Sequence, residues 1–570
     1  MVSGPRAARV RRGFWILLLG VALVIVNTWP LAPSLDRIGR VDSHDGQYGL
    51  WQSAWVARAL VSDAFHVYDA NIFYPHRSTL AFSEPTLLAG ILGLPAYLAT
   101  ASPYATHNLA VLGFFLLSFL SAYALGWRLT GDALAATALA ISFAFSPYVF
   151  ARTAQLPMMA IFGLPLALLA MHGLVEAPSI RTAAGLAGAL WLQALACGYY
   201  TIFALLIVGI GLVYFGIEGQ RWRRYAFRLH AALGVALTAA VLLPLFWPHL
   251  RLSQAEGFRR PVGEALQFAA DWRAWLASAA WAHRWMLTWL GTWNEVLFPG
   301  FIPSALGLAA AWLGLRGRLA LPSRHDRAPV GHRAPTARAL AGFYVLVGVF
   351  GAWCAFGPAG GLYALLYETL PLFAFIRASG RFGVLTTLAA GALMAMALAH
   401  FARDDARRRT IAGLVILILA AELFSAPRPK VPAIRVSPVY LTLGSQPRGP
   451  VVEFPMFPRQ LELNALYVLM STAHWQPLVN GYGAFWPADI QQLAADTNSF
   501  PSEAAVERIR SWGVRYVVVH PRLYERHGLS TEADVLGRLD RLHTHLTLVA
   551  SDPNVRLYQV SAPTLTKNEP

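Results

Sequence analysis

The chain has 570 residues, of which 56% are hydrophobic and 13% are charged, and its formal net charge at pH 7 is +16. A single water-soluble core of this length cannot hide so large a share of apolar side chains from solvent. The composition therefore excludes an ordinary soluble protein. Apolar runs recur that are long enough to cross about 30 Å of hydrocarbon as helices, and they indicate a membrane protein.

The positive charge is concentrated in short loops between the apolar runs. These basic clusters are Arg6 to Arg12, Arg221 to Arg228, Arg316 to Arg338 and Arg403 to Arg409. Short basic loops are retained on the cytoplasmic face of a membrane. We therefore interpret the charge as a topology signal with a cytoplasmic N-terminus, and we expect no nucleic-acid partner.

The apolar runs predict about eleven transmembrane helices, counted so that all basic clusters share one face. Their approximate positions are residues 13–34, 107–127, 132–150, 156–174, 180–197, 199–216, 228–247, 297–315, 339–356, 376–401 and 410–426. The first run is expected to be a retained anchor, because it lacks a clear cleavage site. With a cytoplasmic N-terminus, an odd number of crossings predicts that the C-terminal part of this multi-pass protein lies on the external side of the membrane.

One apolar stretch, residues 86–101, is left out of this count. It is short, Pro85 and Pro103 bracket it, and Pro95 lies inside it. Counting it would put the basic clusters on opposite faces, so we expect a re-entrant or interfacial element. The stretch from Gly361 to Phe375 is interpreted in the same way.

Two segments are predicted to be long external loops of a transmembrane domain spanning residues 1–426. They are residues 35–106 and residues 248–296. The second loop contains six tryptophans, from Trp272 to Trp293. They favour either an aromatic belt at the headgroup level or a wall that stacks on sugar or lipid, and both alternatives stay open.

Residues 427–570 are predicted to form a soluble α/β domain. The apolar runs starting at Val451 and Val514 indicate strands, the second buried on both faces, and Arg556 to Val560 indicates a last strand. A helical pattern covers Glu503 to Trp512. The domain contains no cysteine, so it must fold without disulfides.

The first external loop begins with acidic residues beside the predicted membrane surface. Asp42, His44 and Asp45 stand within four positions of one another, ahead of a predicted helix. Two carboxylates and an imidazole can ligate a divalent cation such as Mg²⁺ or Mn²⁺, or one carboxylate can act as a general base. The alternative is a solvated helix start capped by Asp42 or Ser43.

Several strings of the sequence resemble bacterial members of the GT-C glycosyltransferases, which take a sugar from a polyprenyl-phosphate donor. The strings are NIFYPH, TLAFSE, FPGFIPSALGLAA, FIRASGRFGVL, TAHWQPLVNGY and GVRYVVVHP. They extend over nearly the whole chain. The resemblance implies a GT-C-like transmembrane domain, a sugar donor carried on a polyprenyl phosphate, and a glycan, lipid or protein acceptor in the cell envelope.

The resemblance also implies roles for individual residues. In the family an acidic residue just after the first span is the base, which makes Asp45 the candidate base here and Asp42 its neighbour or metal ligand. This sequence has DSHDG where relatives have one aspartate, so the choice between the two stays open. Glu84 is the corresponding candidate for the second acid of the external loops.

Arginines are the candidate ligands of the phosphate that leaves. Arg377 and Arg381 are four positions apart, so on a helix they share one face. The alternative is that both reach only to lipid headgroups. Arg58 and Arg152 are weaker candidates, and Glu295 either contacts the sugar or caps the next helix.

The sequence thus predicts a GT-C-type membrane glycosyltransferase that transfers a hexosyl or pentosyl group. One alternative is a carrier-lipid-binding scaffold of the same architecture without catalysis. The other is a transporter of lipid or glycan, although the spans contain almost no acid or lysine at their midpoints.

Overall fold

The computed structural model describes residues 5–257, 260–321, 334–402, 405–427, 429, 431–457 and 460–561. Its contacts divide the chain into two compact units. Unit 1 comprises Met1–Ser34, Leu109–Trp247 and Phe258–Pro429, and unit 2 comprises Leu35–Asn108, Pro248–Gly257 and Lys430–Pro570. Arg403 and positions 322–333 of the basic clusters lie outside the described residues.

The described residues up to Glu422 form a series of helices joined by loops. The helices up to the second long loop are Pro5–Asn27, His44–Ser62, Leu87–Thr100, Pro103–Thr130, Ala133–Ala144, Pro147–Phe150, Gly163–Glu176, Ile180–Ala196, Gly198–Glu218 and Tyr225–Glu256. Those that follow, up to the end of unit 1, are Glu264–Gln267, Arg284–Leu290, Phe301–Leu315, Ala337–Ala355, Leu362–Thr369, Gly383–Phe401 and Ala406–Glu422.

Each of the predicted spans coincides with a helix. Seven helices of the described chain are long and apolar enough to cross a membrane, and they cover Val10–Asn27, Pro103–Thr130, Ala133–Phe150, Gly198–Glu218, Tyr225–Ala255, Ala337–Ala355 and Ser379–Phe401. The other four predicted spans hold helices of 14, 17, 15 and 17 residues. The polytopic helical fold is confirmed, with seven full-length spans by this measure.

The centre of unit 1 is the helix Gly383–Phe401, nearly all of which is buried. It packs against Phe301–Leu315, Ala337–Ala355 and Ala133–Ala144. Small residues allow these helices to pack closely. At Gly351 of the helix Ala337–Ala355, for example, a methyl group would come within 2.8 Å of Leu385 Cβ. Such contacts are how helices associate where lipid removes the hydrophobic driving force.

Unit 2 contains a four-stranded sheet. Its strands are β1 (Val451–Phe454), β2 (Tyr516–Val519), β3 (Leu546–Ser551) and β4 (Arg556–Val560), in the spatial order β1-β2-β4-β3. β1 and β2 are parallel, and β4 is antiparallel to both β2 and β3. The helices of this region are Pro438–Ser445, Ala465–Met470, Ala488–Asp496, Glu503–Ser511, Pro521–Arg526 and Glu532–Arg541.

The predicted α/β character of the C-terminal region is therefore confirmed. The four residues of β2 are buried, as its continuous apolar run predicted, and the strand starts at Tyr516 rather than Val514. β3 was not predicted, because its LTLVAS sequence mixes buried and exposed positions. The helix Glu503–Ser511 lies where the periodicity placed it.

The first long loop and the C-terminal region form one compact unit. The helix His44–Ser62 packs against Ala465–Met470, and a backbone bridge joins Ile38 to Pro432. The sequence predicted one domain boundary, at residue 426, with the first loop in the transmembrane domain. The contacts instead group residues 35–108 with residues 430–570. Which residues of the two predicted domains lie inside the membrane stays a prediction.

Two of the family-like strings are paired with each other in unit 2. The Phe73 N–H of NIFYPH donates to the Asn480 carbonyl at 3.2 Å, and the Tyr74 N–H donates to the Leu478 carbonyl at 3.0 Å. Both acceptors belong to the string TAHWQPLVNGY. The first loop is thus held by a segment about 400 residues later in the chain.

The two uncounted stretches form short helices. Leu87–Thr100 has 14 residues and Leu362–Thr369 has 8, fewer than a crossing at 1.5 Å per residue requires. In the tryptophan-rich loop, Trp272, Trp281, Trp285, Trp289 and Trp293 are 41% to 67% exposed. Such exposure is compatible with both the aromatic belt and the stacking wall.

Candidate functional site

The first-loop acids lie at the start of the helix His44–Ser62. Ser43 caps this helix, since its hydroxyl accepts from the Gly46 N–H at 3.0 Å. Only glycine fits at position 46, because a side chain there would collide with the Arg40 carbonyl. Asp45 therefore lies in the first helical turn, where the positive end of the helix dipole favours a carboxylate.

Asp45 is held by a residue from the C-terminal region. The Tyr482 hydroxyl donates to Asp45 Oδ1 at 2.5 Å, and the Tyr482 ring lies 5.2 Å from the ring of Tyr48. Asp45 and Tyr482 are both half-buried. The contact fixes the carboxylate in a defined orientation at the surface of unit 2.

Asp42 has a different partner. Arg40 donates to both of its oxygens, at 2.9 and 3.2 Å. Burial alone would raise the pKa of Asp42, but the hydrogen bond and the charge of Arg40 outweigh it and lower the pKa. Asp42 therefore stays ionised and exposed.

No group of three or more His, Cys, Asp or Glu side chains within the described ranges is arranged to hold a metal ion. Asp42 is bound to Arg40 and Asp45 to Tyr482. The Mg²⁺ or Mn²⁺ site expected at Asp42, His44 and Asp45 therefore stays a prediction without support from this geometry.

The remaining predicted residues of the first loop lie in unit 2. Glu84 is half-buried, and its backbone carbonyl accepts a hydrogen bond from the Gln52 side chain. The guanidinium of Arg58 lies over the ring of Trp475, 5.1 Å from its centre. Arg58 thus makes a cation–π contact with an aromatic ring of the C-terminal region.

Unit 1 contains a second group of charged residues, which we name the arginine cluster: Arg152, Arg381 and Glu295. Arg152 donates to the Glu295 carboxylate, and its guanidinium lies 3.7 Å from the centre of the Tyr148 ring. Arg152 and Arg381 are 5% and 9% exposed. Two buried guanidinium groups are costly to desolvate, so their retention calls for an anion or a π-face close by.

Tyrosines and an amide surround the arginine cluster. The Arg381 guanidinium lies 4.7 Å from the centre of the Tyr199 ring, and one of its nitrogens is 3.5 Å from Gln155 Oε1. The Tyr148 and Tyr200 hydroxyls are 2.9 Å apart, and Tyr148 also donates to the Arg381 carbonyl at 3.2 Å. The cluster is therefore a polar site inside a helical, mostly apolar unit.

Arg377 lies beside this cluster rather than in it. Its backbone N–H donates to the Tyr199 hydroxyl at 3.2 Å, and its guanidinium is 3.7 Å from Glu264. The prediction that one helix carries Arg377 and Arg381 is wrong, because the 3-10 turn Pro371–Phe375 ends before Arg377 and a separate 3-10 turn covers Ser379–Phe382. Tyr199 nevertheless contacts both arginines.

The structure brings Glu295 and Arg381 into one cluster, and Asp42 and Asp45 onto one helix start. Arg152 was a minor candidate from sequence, and Gln155, Tyr148 and Tyr199 were not identified. Arg152 and Glu295 are 143 positions apart, and neither lies in a recognisable motif. The only sequence signal for this pair was an isolated arginine and an isolated glutamate, each next to an apolar run.

Comparison with known proteins identifies the fold. No protein-family model and no curated protein matches the chain. The cryo-EM structure of arabinofuranosyltransferase AftD from Mycobacteria aligns with 97% of this chain at 17% identity and a TM-score of 0.57. A mutant form of that enzyme aligns with 96% of the chain at 18% identity and a TM-score of 0.54.

An oligosaccharyltransferase from Archaeoglobus fulgidus aligns with 95% of the chain and 72% of its own length, at 14% identity and a TM-score of 0.46. The chain spans about two-fifths of the AftD structures, at 40% and 41% of their length. At such identities the likeness concerns the fold alone. The chain is a multi-pass membrane protein with a GT-C-like helical fold and a C-terminal α/β region.

Proposed function

We propose that this protein is a glycosyltransferase that moves a sugar from a polyprenyl-phosphate donor to a hydroxyl of an envelope acceptor. The acceptor is a glycan, lipid or protein at the external face of the bacterial inner membrane. The N-terminus is cytoplasmic and the C-terminal region is periplasmic in this proposal. The GT-C-like fold and the basic loops support it.

The contact between Asp45 and Tyr482 is the observation that carries the proposal. A general base must be ionised, oriented and reachable by the acceptor hydroxyl. Tyr482 orients the carboxylate through Oδ1, and Asp45 lies in the first turn of the helix His44–Ser62. Asp45 also has the position that the family resemblance assigns to the base.

In the proposed reaction the anomeric carbon of the donor sugar exchanges one oxygen for another with inversion. The bond to the phosphate oxygen breaks, and the phosphate leaves with the electron pair. The acceptor oxygen forms the new bond, and Asp45 takes its proton. Glu84 is the proposed second acid of the external loops.

The arginine cluster is the proposed binding site for the phosphate, together with Arg377. Guanidinium groups bind phosphate through paired hydrogen bonds, and they do so most strongly where water is excluded. The low exposure of Arg152 and Arg381 fulfils that condition.

The experiment measures transfer by the purified full-length chain in lipid nanodiscs. Donors are polyprenyl-phosphate-linked arabinofuranose, suggested by AftD, and a polyprenyl-phosphate-linked hexose, and the readout is release of polyprenyl phosphate. Asp45→Asn is expected to lower transfer at least 100-fold while donor binding is retained. The matched control is Asp63→Asn, which changes an exposed first-loop aspartate bound to His66.

Full transfer by the Asp45→Asn, Asp42→Asn and Glu84→Gln variants would remove the mechanism. Binding of donor by the unaltered protein without any transfer would favour the non-catalytic carrier-lipid scaffold. Addition of EDTA, followed by restoration of Mg²⁺ or Mn²⁺, tests whether Asp42, Asp45 and His44 hold a cation during the reaction.

A further inference from the structure

The tryptophan-rich loop presents large aromatic side chains outward. Trp285 and Trp289 are about one turn apart on the helix Arg284–Leu290, and they are 63% and 67% exposed. Met286 and Leu290 of the same helix are buried, with exposures of 5% and 7%. The helix thus packs its aliphatic side chains inward and leaves its tryptophans uncovered.

We name this exposed group of rings the tryptophan face. Its members are Trp272, Trp281, Trp285, Trp289 and Trp293. The rings of Trp272 and Trp289 are in contact, with their centres 6.1 Å apart. Covering a tryptophan removes a large apolar area from water, so an exposed group of these rings indicates a surface that binds a partner.

Polar contacts hold this face at the end of a predicted span. The Trp281 N–H donates to the Phe424 carbonyl at 3.1 Å, just after the helix Ala406–Glu422. His283 Nε2 lies 3.1 Å from Glu422 Oε1, and both side chains are buried. The tryptophan face is therefore anchored where a predicted span ends, and tryptophan is enriched at that level in membrane proteins.

Two arginines of the same loop lie on tryptophan rings. The Arg284 guanidinium is 3.0 Å from the centre of the Trp281 ring, and the Arg273 guanidinium is 5.5 Å from the centre of the Trp272 ring. Neither guanidinium forms an ion pair with a carboxylate of the described residues. Asp271, the only acidic residue among positions 271–293, accepts a backbone N–H instead. The described carboxylates therefore leave these two positive charges without a partner.

We propose that the tryptophan face docks into the headgroup layer of the adjacent membrane leaflet, where Arg273 and Arg284 bind the phosphates of anionic phospholipids. Tryptophan rings are stable at this level, because one part of the ring is apolar and its N–H is polar. Guanidinium groups pair with phosphate, and the negative potential of an anionic leaflet attracts them further. The inference names a lipid partner of this loop and does not depend on sugar transfer.

The test places a photo-crosslinking residue on the tryptophan face. Thr288 is exposed between Trp285 and Trp289, and Thr288→p-benzoylphenylalanine puts the reactive group there in the full-length protein. The protein is reconstituted in an equal mixture of phosphatidylglycerol and phosphatidylcholine, and mass spectrometry identifies the crosslinked molecules. We expect crosslinks to phospholipid, with phosphatidylglycerol in excess over phosphatidylcholine.

Charge variants in the same background test the arginines. Arg284→Gln and Arg273→Gln are each expected to lower the ratio of phosphatidylglycerol to phosphatidylcholine crosslinks about fivefold, the contribution of one basic residue near an anionic surface. Arg284→Lys keeps the charge and is expected to keep most of the preference. The matched control is Arg526→Gln, which removes an exposed arginine of unit 2 and should leave the ratio unchanged.

Crosslinks to another protein, or none to phospholipid, would overturn the docking of this face on the membrane. Equal crosslinking of both phospholipids, or a ratio that neither glutamine variant changes, would overturn the role of the arginines. Displacement of phosphatidylglycerol by a small amount of added polyprenyl phosphate would make this surface a site for that lipid and overturn the proposal as well. These measurements involve no sugar, so failure of the proposed transfer reaction would leave this inference standing.

Discussion

The arginine cluster of unit 1 and the first-loop acids of unit 2 differ in how far their ion pairs are exposed to solvent. Arg152 and Glu295 expose 6% and 14% of their side chains, whereas Arg40 and Asp42 expose 35% and 45%. A buried pair depends on its partner for its solvation, while an exposed pair is solvated by water in any case. The same kind of contact therefore has different consequences in the two regions.

The largest effect is expected at the buried ion pair of Arg152 and Glu295. Arg152→Gln leaves the Glu295 carboxylate without its guanidinium, and we expect a loss of about 3–5 kcal/mol in the free energy of unfolding. Chemical unfolding in detergent measures it. The double variant R152Q/E295Q should recover most of the loss, because it removes the stranded charge. A loss below about 1 kcal/mol would show that this pair behaves like an exposed one.

We expect acid to destabilise unit 2 because His474 must stay neutral in the folded protein. Burial lowers the pKa of His474 from 6.5 to about 3, so the folded protein keeps this imidazole neutral. The unfolded chain takes up a proton below pH 6.5, so stability from this residue is complete above that pH and is lost as the pH falls toward 3. Between pH 6.5 and 4.5 the loss is about 2–3 kcal/mol.

His474→Asn is the corresponding test, because its amide oxygen can accept the Gln476 N–H that His474 Nδ1 accepts at 3.0 Å. The pH dependence of unfolding should become shallower by about one proton in this variant. An unchanged slope would mean that another group controls the acid sensitivity of unit 2. The double variant R152Q/E295Q, which removes both charges of the buried pair in unit 1, should leave the slope unaltered.

Gly481→Ala tests the pairing that holds the first loop. A methyl group at Gly481 would come within 2.3 Å of the Phe73 ring. Such overpacking typically costs about 1–3 kcal/mol, and it would displace Tyr482, the next residue, from Asp45. We expect lower stability together with reduced transfer. Gly537→Ala is the control, since nothing lies within 4 Å of a methyl group there.

The smallest effect is expected at the exposed pair. Arg40→Gln removes the guanidinium that lowers the pKa of Asp42, and the expected loss of stability at neutral pH is about 0–1 kcal/mol. The contribution of Asp42 exists above its ordinary pKa of 3.8 and disappears as the pH falls through the lowered value. High salt should weaken it further. A loss as large as that of Arg152→Gln would contradict the comparison.

Hydropathy and periodicity were sufficient to predict the apolar helices and three of the four strands of the sheet. Each predicted span coincides with a helix, and β1, β2 and β4 lie where their apolar runs placed them. These features are local, since they depend on residues a few positions apart. The alternation of buried and exposed positions in β3 was too irregular to identify it as a strand.

The candidate sites could be predicted only in part. Asp45, Arg381 and Glu295 were proposed as single candidate residues, but their contacts with Tyr482, Tyr199 and Arg152 were not predicted. Tyr482 is 437 positions from Asp45, and Arg152 is 143 positions from Glu295. Contacts of that range are set by tertiary packing, which leaves no periodic pattern in the sequence.

The distance in sequence between Asp45 and Tyr482 has a consequence for synthesis on the ribosome. Translation proceeds from the N-terminus, so Asp45 emerges while the residue that orients it is still 437 codons away. A nascent or truncated chain can insert its early helices without a positioned carboxylate. The Asp45 carboxylate therefore gains this hydrogen-bond partner only after the C-terminal region has been synthesised and has folded onto the first loop.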